Sequence, residues 1–232
     1  EYFSIIELFN SIIKNLKEYL YILSKMDSSL HQASLDQNND KRAIYNQWAD
    51  TYEQYVLNLN YLGPKNVAEN FRDFILTLNC NNLKILDFGC GTGLLGEEIH
   101  KNLIGNYQFE IDGIDISENM IQKCREKNIY RNIIEINLLQ DSLPPNYQYD
   151  YIVSSGVFLE GHVSFKVINK LLDNLKLFGS IFITIRESFK NQEINEYQEF
   201  ILQNPRLEFL FETNIEYLPN VSCKLIILKK LY

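Results

Sequence analysis

Apolar residues recur every three or four positions near the start of the chain, at Ile5, Leu8, Phe9, Ile12, Leu16, Tyr19, Leu20 and Leu23. That spacing is one face of a helix. Glu7, Lys14, Lys17 and Glu18 interrupt the stretch from Tyr2 to Leu23, and nowhere does the chain reach the roughly 18 uninterrupted apolar residues of a membrane-spanning helix. An accessory helix, lying on the domain or on a partner, is expected. Asp27 to Asp40 is rich in Ser, Gln, Asn and Asp without a period and reads as a polar linker. Met26 divides the two stretches, which suggests it as a native start with residues 1–25 lying upstream.

A helix is expected from Lys41 to Leu59, with Tyr45, Trp48, Tyr52 and Tyr55 on one face. Gly63-Pro64 breaks it, and Val67 to Leu78 has a second amphipathic pattern. Short apolar runs then alternate with helical stretches. Strands are expected at Lys84 to Phe88, Glu110 to Ile116, Ile133 to Leu138, Asp150 to Ser154 and Ser180 to Ile185. Helices are expected at Leu94 to Asn102, Glu118 to Lys127, Phe165 to Leu177 and Asn191 to Gln203. Leu207 to Tyr217 and Ser222 to Lys229 complete the set as two strands around Pro219-Asn220. Such alternation predicts an α/β fold, a doubly wound and mostly parallel seven-stranded sheet. The final connection is too tight for a crossover, so the last strand is antiparallel.

Composition narrows the function classes. The 232 residues, 46% hydrophobic, suit one α/β domain with N-terminal additions: residues 1–40 as helix and linker, 41–232 as the main domain. A net charge of -8 argues against nonspecific nucleic-acid binding, and no nucleic-acid partner is expected. Cys80, Cys90, Cys124 and Cys223 form no CxxC pair. No metal site is expected, and reduced thiols in the cytoplasm fit best.

The chemistry centres on Asp87-Phe88-Gly89-Cys90-Gly91-Thr92-Gly93. A strand running into a glycine turn that opens a helix lets a ligand approach backbone N–H groups. Gly91 to Gly96 also satisfies the dinucleotide fingerprint GxGxxG, a weak signal alone. Asp87 decides between the ligands: a carboxylate there repels a pyrophosphate at the helix N-terminus and suits a ligand bearing an ammonium and a cationic sulfur. Asp115, at the end of the second strand, can accept both ribose hydroxyls, or it caps the next helix, a task Ser117 can take instead. Asp112, mid-strand, is the weaker ribose candidate.

ILDFGCGTG at 85–93, DGIDIS at 112–117 and YDYIVSSGVF at 149–158 resemble class I S-adenosylmethionine-dependent methyltransferases, with a Rossmann-like fold. YNQWADTY at 45–52, YLGP at 61–64, SSGVF at 154–158 and GHV at 161–163 resemble, more narrowly, the methyltransferase-like proteins named after the Williams–Beuren chromosome region. The resemblance covers about residues 41–232. It implies S-adenosylmethionine as cofactor, S-adenosylhomocysteine as product, and a small-molecule or protein acceptor. By the same resemblance Asp87, Gly89, Gly91 and Gly93 cradle the methionine part, with Cys90 in that loop counted as a contact although its thiol is read as passive. Asp115 holds the ribose, Ile116 packs on the adenine, and Met120 lies near it or is an ordinary core residue. Where the family commonly has an acidic residue for the adenine amino group, this chain has Asn137 followed by Leu138, with Asp141 a rival in the following loop. Ser154, Ser155 and Gly156 face the methyl group, or simply form a bend.

Tyr45, Trp48 and Tyr52 are either a lid over the cofactor, with Tyr52 the preferred contact, or the buried face of a helix. Methyl transfer needs alignment and exclusion of water, and a base only if the acceptor loses a proton. His162 is the candidate base, with Glu160 beside it, against a structural role for a lone loop histidine. A protein that binds S-adenosylmethionine as a scaffold, without turnover, has the same loop.

Overall fold

In a computed structural model, residues 2–78 and 81–232 are described, with side chains from Ile12 onward. Cys80 and the side chains of Ile5, Leu8 and Phe9 lie outside these. Four helices lead into the sheet: α1 (Tyr2–Leu35), α2 (Lys41–Trp48), α3 (Tyr52–Asn58) and α4 (Gly63–Leu76). There follow β1 (Leu83–Phe88), α5 (Leu94–Leu103), β2 (Phe109–Asp115), α6 (Glu118–Glu126), β3 (Asn132–Glu135), β4 (Tyr149–Phe158), α7 (Val167–Asn174) and β5 (Leu175–Arg186). Two short helices, α8 (Glu187–Gln192) and α9 (Ile194–Tyr197), and a π-helical turn at Gln198–Leu202 precede β6 (Leu207–Leu218) and β7 (Val221–Lys230).

The seven strands are ordered β3-β2-β1-β4-β5-β7-β6. β1 to β5 pair in parallel, and β7 runs antiparallel between β5 and β6. This is the doubly wound sheet expected, with its antiparallel last strand. The order reverses at β1 and β4, and ligands of open α/β sheets bind at such a switch point, beyond the carboxyl ends of the strands.

Alternate residues of the central strands serve opposite faces, as in sheets covered on both sides. Ile85, Ile111, Val153 and Phe182 pack with Val67, Phe71 and Ile75 of α4 and with Leu95 and Ile99 of α5. Leu86, Ile114, Ile152, Ile181 and Ile183 pack with Ile168, Leu171 and Leu172 of α7.

Several expectations need correction. Asp27–Leu35 is the last part of α1, not linker, and only residues 36–40 connect it to α2. Asp27, Leu30 and Ser34 are its buried positions. Two of the three are polar, so hydropathy hides the helical period. Leu30 packs with Trp48, Ala49 and Met120, and the Thr51 hydroxyl donates to Asp27. Upstream, Ile12, Leu16, Tyr19 and Leu20 are more than half exposed, so this part of α1 does not lie on the domain. The helix expected at Lys41 to Leu59 is broken at Ala49–Thr51. β4 and β5 are longer than expected, and α7 ends at Asn174, where Leu175 already opens β5. Among the described residues no helix is long and apolar enough to cross a membrane, and no three His, Cys, Asp or Glu side chains group as a metal site would require.

Candidate active site

A cavity of about 480 Å³ opens at the carboxyl ends of β1, β2 and β4. Its floor is the loop after β1. Gly89, Gly91 and Gly93 all hold positive φ, at 70°, 52° and 90°, a region in which side chains are strained. Gly89 is forced by packing as well, since a Cβ there would lie 2.3 Å from Val157 Cγ2. At Gly91 a Cβ would meet nothing within 4 Å: the backbone is bare toward the cavity. Beside it, the Thr92 hydroxyl is buried with no hydrogen-bond partner.

Asp115 ties β2 to this loop. Its Oδ2 accepts from Gly91 N–H at 2.8 Å, and its Oδ1 accepts from Ser117 N–H at 2.9 Å. The cap of α6 is Ser117, whose Oγ accepts from Met120 N–H at 3.2 Å. Asp115 therefore faces the cavity with lone pairs to spare. Burial holds its carboxyl above the usual range, against the backbone donors.

Of the residues singled out in the sequence, the cavity brings together Tyr52, Gly89, Cys90, Gly91, Asp115, Ile116, Met120, Asn137, Leu138, Ser155 and His162. Asp87, Gly93 and Ser154 are not on its wall. Asp87 is buried behind the loop, where its Oδ2 accepts from the Tyr130 hydroxyl at 2.6 Å and its Oδ1 has no partner. Burial pushes its carboxyl up to about 7, with the Tyr130 bond opposing. Gly93 opens α5 and faces Cys124, Lys127 and Tyr130. Ser154 donates to the Phe88 carbonyl at 2.7 Å and pins β4 to β1.

Asn137 lines the cavity with its side-chain oxygen accepting from Leu139 N–H at 3.0 Å; Asp141 is off the wall. Met120 is both a cavity and a core residue. The Cys90 thiol is buried, and its hydrogen bond with the free Cys124 thiol and its burial push its pKa up, which keeps it protonated and unreactive.

The aromatic stripe divides. Tyr45 and Tyr52 line the cavity, while Trp48 is buried behind them, its ring 5.9 Å from Tyr45 and 5.2 Å from Tyr52. Tyr45 Oη lies 2.7 Å from His162 Nε2. Tyr61 was legible only as part of a motif. It lines the cavity, and its hydroxyl lies 2.9 Å from Ser155 Oγ. Gly63 explains that approach: a Cβ there would sit 2.8 Å from Ser155 Oγ and 2.8 Å from the Tyr217 ring. The Gly63-Pro64 pair reads as a helix breaker, so sequence alone does not reveal that contact.

Residues 85–177 match a family described as a methyltransferase domain. The chain is 30% identical over 116 residues to a malonyl-[acyl-carrier protein] O-methyltransferase of Acetivibrio thermocellus, covering 50% of this chain and 40% of that protein. It is 31% identical over 119 residues to an uncharacterised protein of Methanocaldococcus jannaschii, covering 47% and 30%. The chain thus matches less than half the length of these relatives. In three dimensions it is similar to the plantazolicin methyltransferase BpumL solved with S-adenosylhomocysteine (TM-score 0.55, 18% identity, 90% of this chain and 100% of that one). It is also similar to an S-adenosylmethionine-dependent methyltransferase of Clostridium acetobutylicum (TM-score 0.58, 13% identity, 81% and 99%). The fold is the Rossmann-like one of class I methyltransferases.

Proposed function

We propose that this chain is an S-adenosylmethionine-dependent methyltransferase whose acceptor sits beside Ser155–Val157. The observation that carries this is the pair of carboxylates around a bare glycine cradle: Asp115 on the cavity wall and Asp87 buried behind the loop. A pyrophosphate would meet Asp115 as a like charge and disfavour ionisation of Asp87, whereas an ammonium and a sulfonium favour the charged form of both. The family match over residues 85–177 supports the same reading.

S-adenosylmethionine supplies a methyl carbon activated by cationic sulfur. The rest is work for the chain. Gly89 and Gly91 let the backbone approach the methionine part, and the unpartnered Thr92 hydroxyl offers a hydrogen bond there. Asp115 accepts from the ribose hydroxyls. Ile116, Met120 and Leu138 give the adenine an apolar seat, and Asn137 lies at its edge. Tyr45, Tyr52 and Tyr61 wall the acceptor side and exclude water. The free thiols of Cys90, Cys124 and Cys223 support a cytoplasmic setting. Within the superfamily we place the chain beside the Williams–Beuren methyltransferase-like proteins, on Ser154–Phe158 and Gly161–Val163.

Calorimetry with S-adenosylmethionine against NAD tests the ligand. Binding of the first is expected, and Asp115→Ala should weaken it by about tenfold to a hundredfold, the range for a lost hydrogen bond to a charged group. NAD binding without S-adenosylmethionine binding overturns the proposal. Formation of S-adenosylhomocysteine with a panel of acceptors tests turnover. Tight binding with no product from any acceptor favours the second reading, a scaffold that binds the cofactor.

A further inference from the structure

Behind the aromatic wall of the cavity lies a second, smaller chamber of about 50 Å³. Tyr45, Tyr52, Tyr61 and Gly156 line both. Gly156 lets the wall pack tightly: it holds φ +79°, and a Cβ there would lie 2.8 Å from the Tyr61 hydroxyl and 3.2 Å from that of Tyr217, so these two hydroxyls close the space between the cavities.

The far side of the chamber carries Arg186, the last residue of β5. Its side chain is only 12% exposed, yet among the described residues it makes no hydrogen bond. Nε is buried without a partner. The nearest carboxylate oxygen, Glu160 Oε2, is 3.7 Å from Nη1 and is itself buried without a partner. The Tyr217 ring lies 5.9 Å from the guanidinium. A guanidinium has five N–H donors, and burying one unsatisfied is costly.

Other donors share the deficit. Trp48, 2% exposed, lines the chamber with its indole N–H unpartnered. The Tyr52 hydroxyl has no partner among the described residues. The Tyr217 hydroxyl accepts from Tyr61 at 3.3 Å, which leaves its own proton free. Among the described residues no Asp or Glu lines the chamber itself. It holds unpartnered donors and a guanidinium on one wall, and its acceptors are neutral hydroxyls and the His31 ring. What completes it is an anion, and a planar carboxylate matches the forked guanidinium and the small volume.

We propose that this chamber is a carboxylate subsite for the acceptor: Arg186 pairs with the acceptor's carboxylate, the Tyr52 and Tyr217 hydroxyls donate to its oxygens, and the rest of the molecule reaches the main cavity as the Tyr61 hydroxyl moves off Gly156. The term acceptor rests on the methyl-transfer reading; binding of a carboxylate is testable without the methyl donor.

Trp48 is the chain's one tryptophan, so its emission reports on the chamber. The full chain is titrated with hexanoate, hexan-1-ol and hexylamine. Hexanoate alone should give a saturable change. Arg186→Gln should raise its Kd by about tenfold or more, as for a buried charge partner removed. Glu160→Gln takes away the one nearby countercharge and should lower the Kd several-fold. An equal response to hexan-1-ol, no saturable change with hexanoate, or an Arg186→Gln chain that binds hexanoate unchanged overturns the subsite. Should Arg186→Gln fail to fold, Glu160→Gln decides: tighter hexanoate binding supports the subsite, and unchanged or weaker binding overturns it. Calorimetry with S-adenosylhomocysteine on the same wild-type sample separates the two proposals. Hexanoate binding without S-adenosylhomocysteine binding sinks the methyl-transfer reading and leaves the carboxylate site standing.

Discussion

Tyr45 and His162 meet across the cavity, Oη to Nε2, at 2.7 Å. The other ring nitrogen of His162, Nδ1, lies 2.9 Å from the Glu160 carbonyl oxygen. A carbonyl only accepts, so Nδ1 carries the proton, and Nε2 accepts from the Tyr45 hydroxyl. Burial, with Lys41 and Arg186 helping and the Glu160 carbonyl opposing, pulls the imidazole down to about 4. Burial also pushes the Tyr45 hydroxyl up to about 12. Both groups are therefore neutral at neutral pH.

The first prediction follows from the depressed value. The unfolded chain protonates His162 near its ordinary 6.5, so between about pH 6.5 and 4 the unfolded state binds more protons. The neutral imidazole stabilises the fold above that window, and this contribution is lost as pH falls through it. Up to about 3 kcal/mol is at stake, at 1.36 kcal/mol per pKa unit. Urea unfolding of His162→Gln at several pH values should show a shallower loss of stability in this window than the wild type. If turnover uses His162 as a base, its rate should stay flat from about pH 8 down to pH 5.

A second prediction separates two glycines of one loop. Gly89→Ala places a Cβ 2.3 Å from Val157 and keeps φ at +70°. It should destabilise the fold by about 2 kcal/mol or more, from left-handed strain plus the clash. Gly91→Ala pays only the strain at φ +52°, since its Cβ meets nothing within 4 Å. It should cost about 1 kcal/mol and fold, yet weaken S-adenosylmethionine binding, because the methyl group enters the cavity. Thermal unfolding paired with calorimetry on both variants checks the contrast. Equal stability losses with equal affinities would refute it.

The parts of this molecule legible in the sequence are those set by local pattern. The strands β1 and β2 end in DFGCGTG and DGIDIS, and their turn chemistry gives both the sheet and the loop. Asp115 and Gly91 were each legible, and the bond between them is what the fold adds. The end of α1 was not, because its buried face uses Asp27 and Ser34, whose burial depends on Thr51 and Trp48 far along the chain. Arg186 was silent for the same reason. A single basic residue at a strand end looks solvated, and only the packing of α1 and α3 over it shows that it is buried.

Asp112, the weaker ribose candidate for its mid-strand position, has a structural task instead. It is fully buried, and its partners come from two other strands, β3 with the residue before it and β4. Arg131 donates from Nε at 3.0 Å and from Nη2 at 2.5 Å, Asn132 from its backbone N–H at 3.1 Å and its side chain at 3.0 Å, and Tyr149 from its hydroxyl at 3.0 Å. None of these lines the cavity, so Asp112 pins β2 to β3 and β4 and does not meet ribose. Asp112→Ala should cost about 3 kcal/mol, the range for a broken ion pair with buried hydrogen bonds; Arg131 is partly exposed and regains water. Urea unfolding checks this cost, and calorimetry on the folded variant should return the wild-type affinity for S-adenosylmethionine within about twofold if the two sites are independent.

Asp87 couples pH to binding. Its carboxyl stands at about 7 because burial disfavours the anion, and Asp115 adds to that, while the Tyr130 hydroxyl and the Gly96 backbone oppose. The folded value lies above the ordinary 3.8, so the folded state holds the proton longer than the unfolded one. Stability therefore falls as pH rises from about 4 to about 7, and Asp87→Asn should remove that slope. A ligand ammonium at the glycine loop favours the charged form. Binding of S-adenosylmethionine should then release a proton, and its affinity should rise between about pH 6 and pH 8. Calorimetry in buffers of different ionisation enthalpy measures the proton directly. Asp87→Asn should bind more weakly at the upper pH and release none. Equal proton release by wild type and Asp87→Asn would move the linkage to another group, and an affinity flat across that range would show that the buried carboxylate does not feel the ligand.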